Sequence, residues 1–200
     1  MNMSEKRLVI VSIVALCGWG TLCFAQQDVR AQRAEMFGSF EFLEGDAVTE
    51  SIYGERITLN LDDTAAFGFG MGYNISDNFN MNMSFLFGKM DIATSGIIHL
   101  SGDASVFMFD TNLDYNLLAQ ALTPVASAGI GLINLDGDYG SHRSAFNETD
   151  LSYNFGAGLR WDFTSNLFVK AMYTWKFTTL EDTDDTLLLD GLKINFGFVF

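Results

Sequence analysis

The chain is nearly without cysteine and proline. Of 200 residues two are Cys and one is Pro, and both cysteines, Cys17 and Cys23, fall in an N-terminal stretch that reads as a leader. The rest of the chain therefore has no thiol for a disulfide, for nucleophilic catalysis or for a thiolate metal site. One Pro against 19 Gly excludes collagen and proline-rich linkers. Basic residues are scarce as well: 11 Lys and Arg face 25 Asp and Glu, a formal charge of -14, which sets nucleic acid aside as a partner. Beyond residue 25 no run approaches the roughly 18 consecutive apolar residues that mark a membrane helix. Histidine is limited to His99 and His142. The spacing of a calcium-binding loop with its Gly is missing, so neither a resident metal nor a cofactor is expected.

What is present begins with an address. Lys6 and Arg7 precede an apolar run from Leu8 to Leu16, and Cys23-Phe24-Ala25 closes the stretch with a small residue, the three-part form of a secretory signal peptide. Residues 1–25 are accordingly expected to be removed, and Leu16 and Leu22, standing before the two cysteines, are too large for a lipid-attachment signal. Removal of Glu5, Lys6 and Arg7 with the leader leaves 24 acids and 9 bases. A hydrophobic share of 48% with 19 Phe is that of a chain that folds.

Alternation dominates the remainder. In the last nine residues Leu192, Ile194, Phe196, Phe198 and Phe200 are all large and apolar, while Lys193, Asn195 and Gly197 lie between them. A period of two over this length is a strand with two different faces. The pattern recurs in eight segments, for example Leu151, Tyr153, Phe155, Ala157, Leu159 and Trp161 against Ser152, Asn154, Gly156, Gly158, Arg160 and Asp162. Connections after the second, fourth and sixth segments are short, whereas those after the first, third, fifth and seventh run to ten or twenty residues by this reading. That is an up-and-down meander with tight turns at one end and long loops at the other. One face gathers almost every Phe, Tyr, Trp and Met, and the other carries Gly, Ser, Asn and charges. A soluble sandwich would hide the aromatic face in a shared core; an eight-stranded antiparallel transmembrane β-barrel turns it to lipid and satisfies every backbone group by closing.

The alternating C-terminal strand ending in Phe200, the strand Phe155-Gly156-Ala157-Gly158-Leu159-Arg160-Trp161 and the strand Val169-Lys170-Ala171-Met172-Tyr173 resemble those of the small outer-membrane barrels of the OmpA transmembrane-domain, OmpX and opacity-protein superfamily. The resemblance covers residues 34–200 and implies an integral protein of the Gram-negative outer membrane, a monomer, with residues 26–33 as a short periplasmic segment. It also implies that Phe200 is the signal read by the outer-membrane assembly machinery. The chain stops at that strand, so no peptidoglycan-binding domain is expected.

By alternation the lumen receives Glu35, Glu41, Asp110, Asp114 and Asp162 with Arg160, Lys170, Lys176 and Lys193. Charges so confined must pair or keep water, which gives two readings: a structural plug, or a narrow path for small ions or solutes that opens when the pairs rearrange. Gly68, Gly70 and Gly72 make room on one wall for a large opposing residue or for water. Tyr73, Tyr115, Trp161 and Phe163 are expected in an aromatic girdle at the short-turn interface, and Trp175 toward the long-loop end. The long loops hold most of the negative charge, in Glu44, Asp46, Glu50, Glu55, Asp62 and Asp63, in Asp136, Asp138, Glu148 and Asp150, and in Glu181, Asp182, Asp184 and Asp185. Such a surface suits lipopolysaccharide bridged by divalent cations. An enzyme is not expected. His142-Arg143-Ser144 resembles part of the His-x-Ser motif of outer-membrane lipid A deacylases, but Ala145 replaces the Asn that follows there.

Overall fold

The computed structural model describes residues 30–45, 47–52, 55–95, 101–139, 142–179 and 186–200; the side chains of residues 46–61, 92, 94–101, 138–148 and 179–185 lie outside that description. The expected signal peptide and His99 also fall outside it. The strands are β1 (Ala34–Glu44), β2 (Ala47–Ile52), β3 (Glu55–Leu61), β4 (Thr64–Asn74), β5 (Phe79–Ser95), β6 (Ser101–Asn116), β7 (Leu122–Tyr139), β8 (His142–Asp162), β9 (Leu167–Thr179) and β10 (Thr186–Val199). Eight of them form a closed antiparallel barrel in the order β5-β4-β1-β10-β9-β8-β7-β6, completed by a β5–β6 pairing. Closure leaves no edge in the ring, as hydrocarbon demands. The chain ends meet where Ala34 and Phe200 exchange backbone hydrogen bonds of 3.0 and 2.9 Å.

Polar side chains make the short turns. Ser76 Oγ accepts from the backbone of Asn78 and Phe79, and Thr164 Oγ1 accepts from Asn166 and Leu167, so each turn satisfies its own amides. The outer wall is apolar and exposed: Phe67 is 65% and Phe198 56% accessible, which only a lipid environment makes favourable.

The long-loop end differs from the loops expected there. β2 and β3 form a hairpin that joins the wall by pairing Thr58–Leu61 with Ile92–Ser95. β7 and β8 continue their ladder until only residues 140–141 separate them. Strands β5 to β8 are 16 to 21 residues long against 11 to 14 for β1, β4, β9 and β10, so the rim stands higher on one side. Beyond the membrane neither face of a strand has to be apolar, and the ladder continues after the period of two has gone. Between β3 and β4 five steps, Leu61 to Ala66, oppose four, Ile92 to Gly88; Asp62 still donates to the Asp91 oxygen, so the extra residue is a bulge between Asp62 and Ala66.

Candidate functional site: the barrel lumen

Arg160 and Asp162 stand two apart on β8, so alternation puts both inside. Arg160 Nη2 lies 2.7 Å from Glu35 Oε1 and 2.8 Å from Asp162 Oδ1, and its guanidinium sits 4.3 Å above the Phe168 ring. The second Asp162 oxygen accepts from Arg30 Nε at 2.7 Å. Arg30 precedes β1, and the chain turns back beneath the barrel at Gln32, whose φ of 63° is left-handed. Arg30 also donates to the backbone oxygens of Asp77 and Gln120, closing the short-turn mouth. Burial lowers the pKa of Arg30 and Asp162 pulls it back up; the group stays a cation.

Further in, Lys170 donates to Asp114, which also accepts from Ser127 Oγ at 2.6 Å. Phe37 points into the lumen beside them, edge-on to Phe168 at 6.3 Å, in space left by Gly70. A Cβ at Gly70 would meet the Phe37 ring at 2.3 Å. The glycine wall thus seats a large residue at this point. Near mid-barrel Lys176 lies between Asp110 at 2.9 Å and Glu41 at 3.2 Å. Lys193 is 3.5 Å from Asp110 and 3.9 Å from Glu41 and donates to Ser84 Oγ at 3.0 Å. Thr174 and Asn154 supply further donors to the two acids.

Above this level the lumen changes character. Lys176 Nζ is 3.5 Å from Met108 Sδ, and from there outward the interior is mainly Leu43, Leu86, Met90, Val106, Ile133, Leu135, Leu187 and Leu189, with Ala66 and Ala104, none more than 6% exposed, and with Asp150 and Thr178 buried among them. A cavity between Asp110, Asn112, Ser127 and Lys176 has a volume of about 10 Å³, no more than one water requires. Around these residues the described interior is filled by its own side chains. Among the described residues no cluster of His, Asp and Glu is arranged to hold a metal ion.

All nine charged residues assigned to the lumen from sequence lie inside, at most 5% exposed, and are joined in three groups. They comprise five acids and four bases. Arg30, which the sequence offers only as a cation ahead of the first strand, supplies the fifth base and makes the set neutral. Tyr73, Tyr115, Trp161 and Phe163 are exposed on the outer wall. Trp175 is half-buried on it, packed against Tyr173 at 5.1 Å, and Phe200 is 59% exposed at the short-turn end. Asp150, assigned above to a loop, is instead buried on β8, because β8 starts earlier than expected. The apolar outer half of the lumen was also missed. His142, likewise read as loop, opens β8 opposite Tyr139; its side chain and those of Arg143 and Ser144 are outside the description, as are Asp46, Glu50, Glu55 and Glu181 to Asp185.

A closed barrel of eight antiparallel strands, apolar outside and charged within, has counterparts. Residues 21–200 match the family model described as outer membrane protein beta-barrel domain. The chain belongs to this family. Among solved structures it is similar to the outer membrane protein OprG from Pseudomonas aeruginosa, with TM-score 0.64 and 14% identity over 86% of this chain and 99% of that one. The N-terminal β-barrel domain of Pseudomonas aeruginosa OprF gives 0.53 and 18% over 84% and 98%. Ail, the attachment invasion locus protein of Yersinia pestis, gives 0.52 and 15% over 84% and 99%. At these identities the likeness is one of fold. No curated protein matches the chain significantly.

Proposed function

We propose that this outer-membrane barrel is monomeric and non-enzymatic, and that its acidic outer rim is its working surface, with lipopolysaccharide bridged through divalent cations as the partner. The closely filled lumen is the observation that carries this reading: among the described residues, paired charges lie below a largely apolar layer, which argues against an ion path or an inner binding pocket. The rim by contrast is predominantly acidic. Asp62, Asp63, Asp91 and Asp103 are exposed there, and Asp91 stands directly opposite Asp103 across β5 and β6, a like-charge pair that a divalent cation relieves. Ail was crystallised in complex with the heparin analogue sucrose octasulfate; a polysulfated ligand is not carried over to so acidic a rim. Neither is deacylation: the Ser144 backbone stands up to about 23 Å beyond Leu151 on the strand, at about 3.3 Å per residue, well outside the apolar band. Phe200 is read as the assembly signal, and its deletion is expected to lower insertion into the outer membrane of cells.

The test uses the chain refolded with lipopolysaccharide that carries no amine substituent. Lipid retained in magnesium is expected to fall several-fold on washing with EDTA. It should fall equally in a variant with Asp62→Asn, Asp63→Asn, Asp91→Asn and Asp103→Asn whose heat-modified gel mobility is unchanged. Retention indifferent to both changes overturns the reading.

A further inference from the structure

The outer wall turns from apolar to polar within two rows of residues. The register aligns Phe67, Phe87 and Phe107 across β4, β5 and β6, with the last two rings 5.2 Å apart. The next row outward is Lys89, Ser105 and Asp136 on β5, β6 and β7. Small Ala65 and Ser105 leave a groove of about 700 Å³ along both rows. The described cations of the lumen are all ion-paired, and Arg33 donates to two backbone oxygens. Lys89 is exposed, and among the described residues its ammonium has no protein partner. It makes no ion pair with Asp136, which stands two strand spacings of about 4.8 Å away across the sheet.

We propose that this double row binds the phosphoethanolamine headgroup of an outer-leaflet lipopolysaccharide. The phosphate lies on Lys89 and the Ser105 hydroxyl, the ammonium on Asp136, and an acyl chain runs over the three phenylalanines. A separated cation and anion bridged by a small hydroxyl match a headgroup whose own charges are separated. A bare phosphate would face Asp136 and, one row further out, Asp91 and Asp103; the ammonium turns that repulsion into attraction. At the edge of the hydrocarbon both ion pairs are stronger than in bulk water. Long loops mark the outer face of such barrels, which places the groove in the lipopolysaccharide leaflet. The site deepens the lipopolysaccharide reading above, yet it needs no divalent cation, so EDTA separates the two.

The experiment offers the refolded chain, in EDTA, lipopolysaccharide with and without phosphoethanolamine, and counts bound lipid by native mass spectrometry. A preference of about tenfold for the substituted form is expected, the scale of one charge-assisted hydrogen bond. Lys89→Ala or Asp136→Asn should each abolish it, and the exchange variant Lys89→Asp with Asp136→Lys should recover part of it by binding the headgroup reversed. Both side chains face lipid, so barrel formation, checked by heat-modified mobility, is expected to be unaffected. Equal binding of the two forms, a preference that survives either single substitution, or stronger binding of phosphatidylethanolamine than of the substituted lipopolysaccharide overturns the proposal.

Discussion

The two halves of the lumen are closed by opposite means. In the half nearer the short turns every charge is matched: Arg160 holds Glu35 and Asp162, Lys170 holds Asp114, and Lys176 holds Asp110 and Glu41. In the outer half Leu43, Leu86, Met108, Ile133, Leu187 and Leu189 fill most of the space, with Asp150 and Thr178 the buried polar side chains beside them. An ion that reached the inner half would have to leave its hydration to cross the outer one; an apolar solute that entered the outer half would meet the charges below. Under the closed-lumen reading each half blocks what the other admits. They should also fail differently, since a buried charge stripped of its partner is far costlier than a packing defect that neighbours partly fill.

The sharpest break in that comparison is Lys176→Met, which leaves Glu41 and Asp110 to share Lys193. Urea unfolding in micelles should show a loss of about 3–5 kcal/mol, and adding Glu41→Gln, which restores neutrality, should recover more than half of it. Leu86→Ala in the outer half should cost about 3 kcal/mol, with no such rescue by a second site. If the Lys176 loss were the smaller, the inner half would be wet and its charges solvated. Arg30→Ala should cost about 1–3 kcal/mol, less than Lys176 because water at the mouth can take over at Asp162. Gly70→Ala, driven into the Phe37 ring, should cost about 1–3 kcal/mol. Gly38→Ala, with nothing within 4 Å of the added Cβ, should stay within about 0.5 kcal/mol.

The same contrast governs what could be read from the sequence. Along β8 from Tyr153 to Trp161 lipid and a polar lumen impose opposite demands on alternate residues, so the period of two is plain. In the outer half both faces are apolar, as in Phe85-Leu86-Phe87, Val106-Phe107-Met108-Phe109 and Leu187-Leu188-Leu189, and no periodicity tells inside from outside. Phe37 and Phe168 hide in the lumen for the related reason that a ring opposite a glycine, or beneath a guanidinium, satisfies the interior. Arg30 belongs to no strand, and only the backbone turn at Gln32 brings it under the barrel. Strands of the outer rim escape notice because beyond the membrane neither face of a strand has to be apolar. The charges of the inner half were legible one at a time; that their sum reaches zero only with Arg30 was not.

Closure of the lumen is the central claim, and single-channel recording of the refolded chain in a planar bilayer tests it most directly, with heat-modified mobility confirming that the barrel has formed. A folded barrel should be silent at both polarities. Discrete, reproducible conductance steps would contradict the account and make the paired charges a pathway.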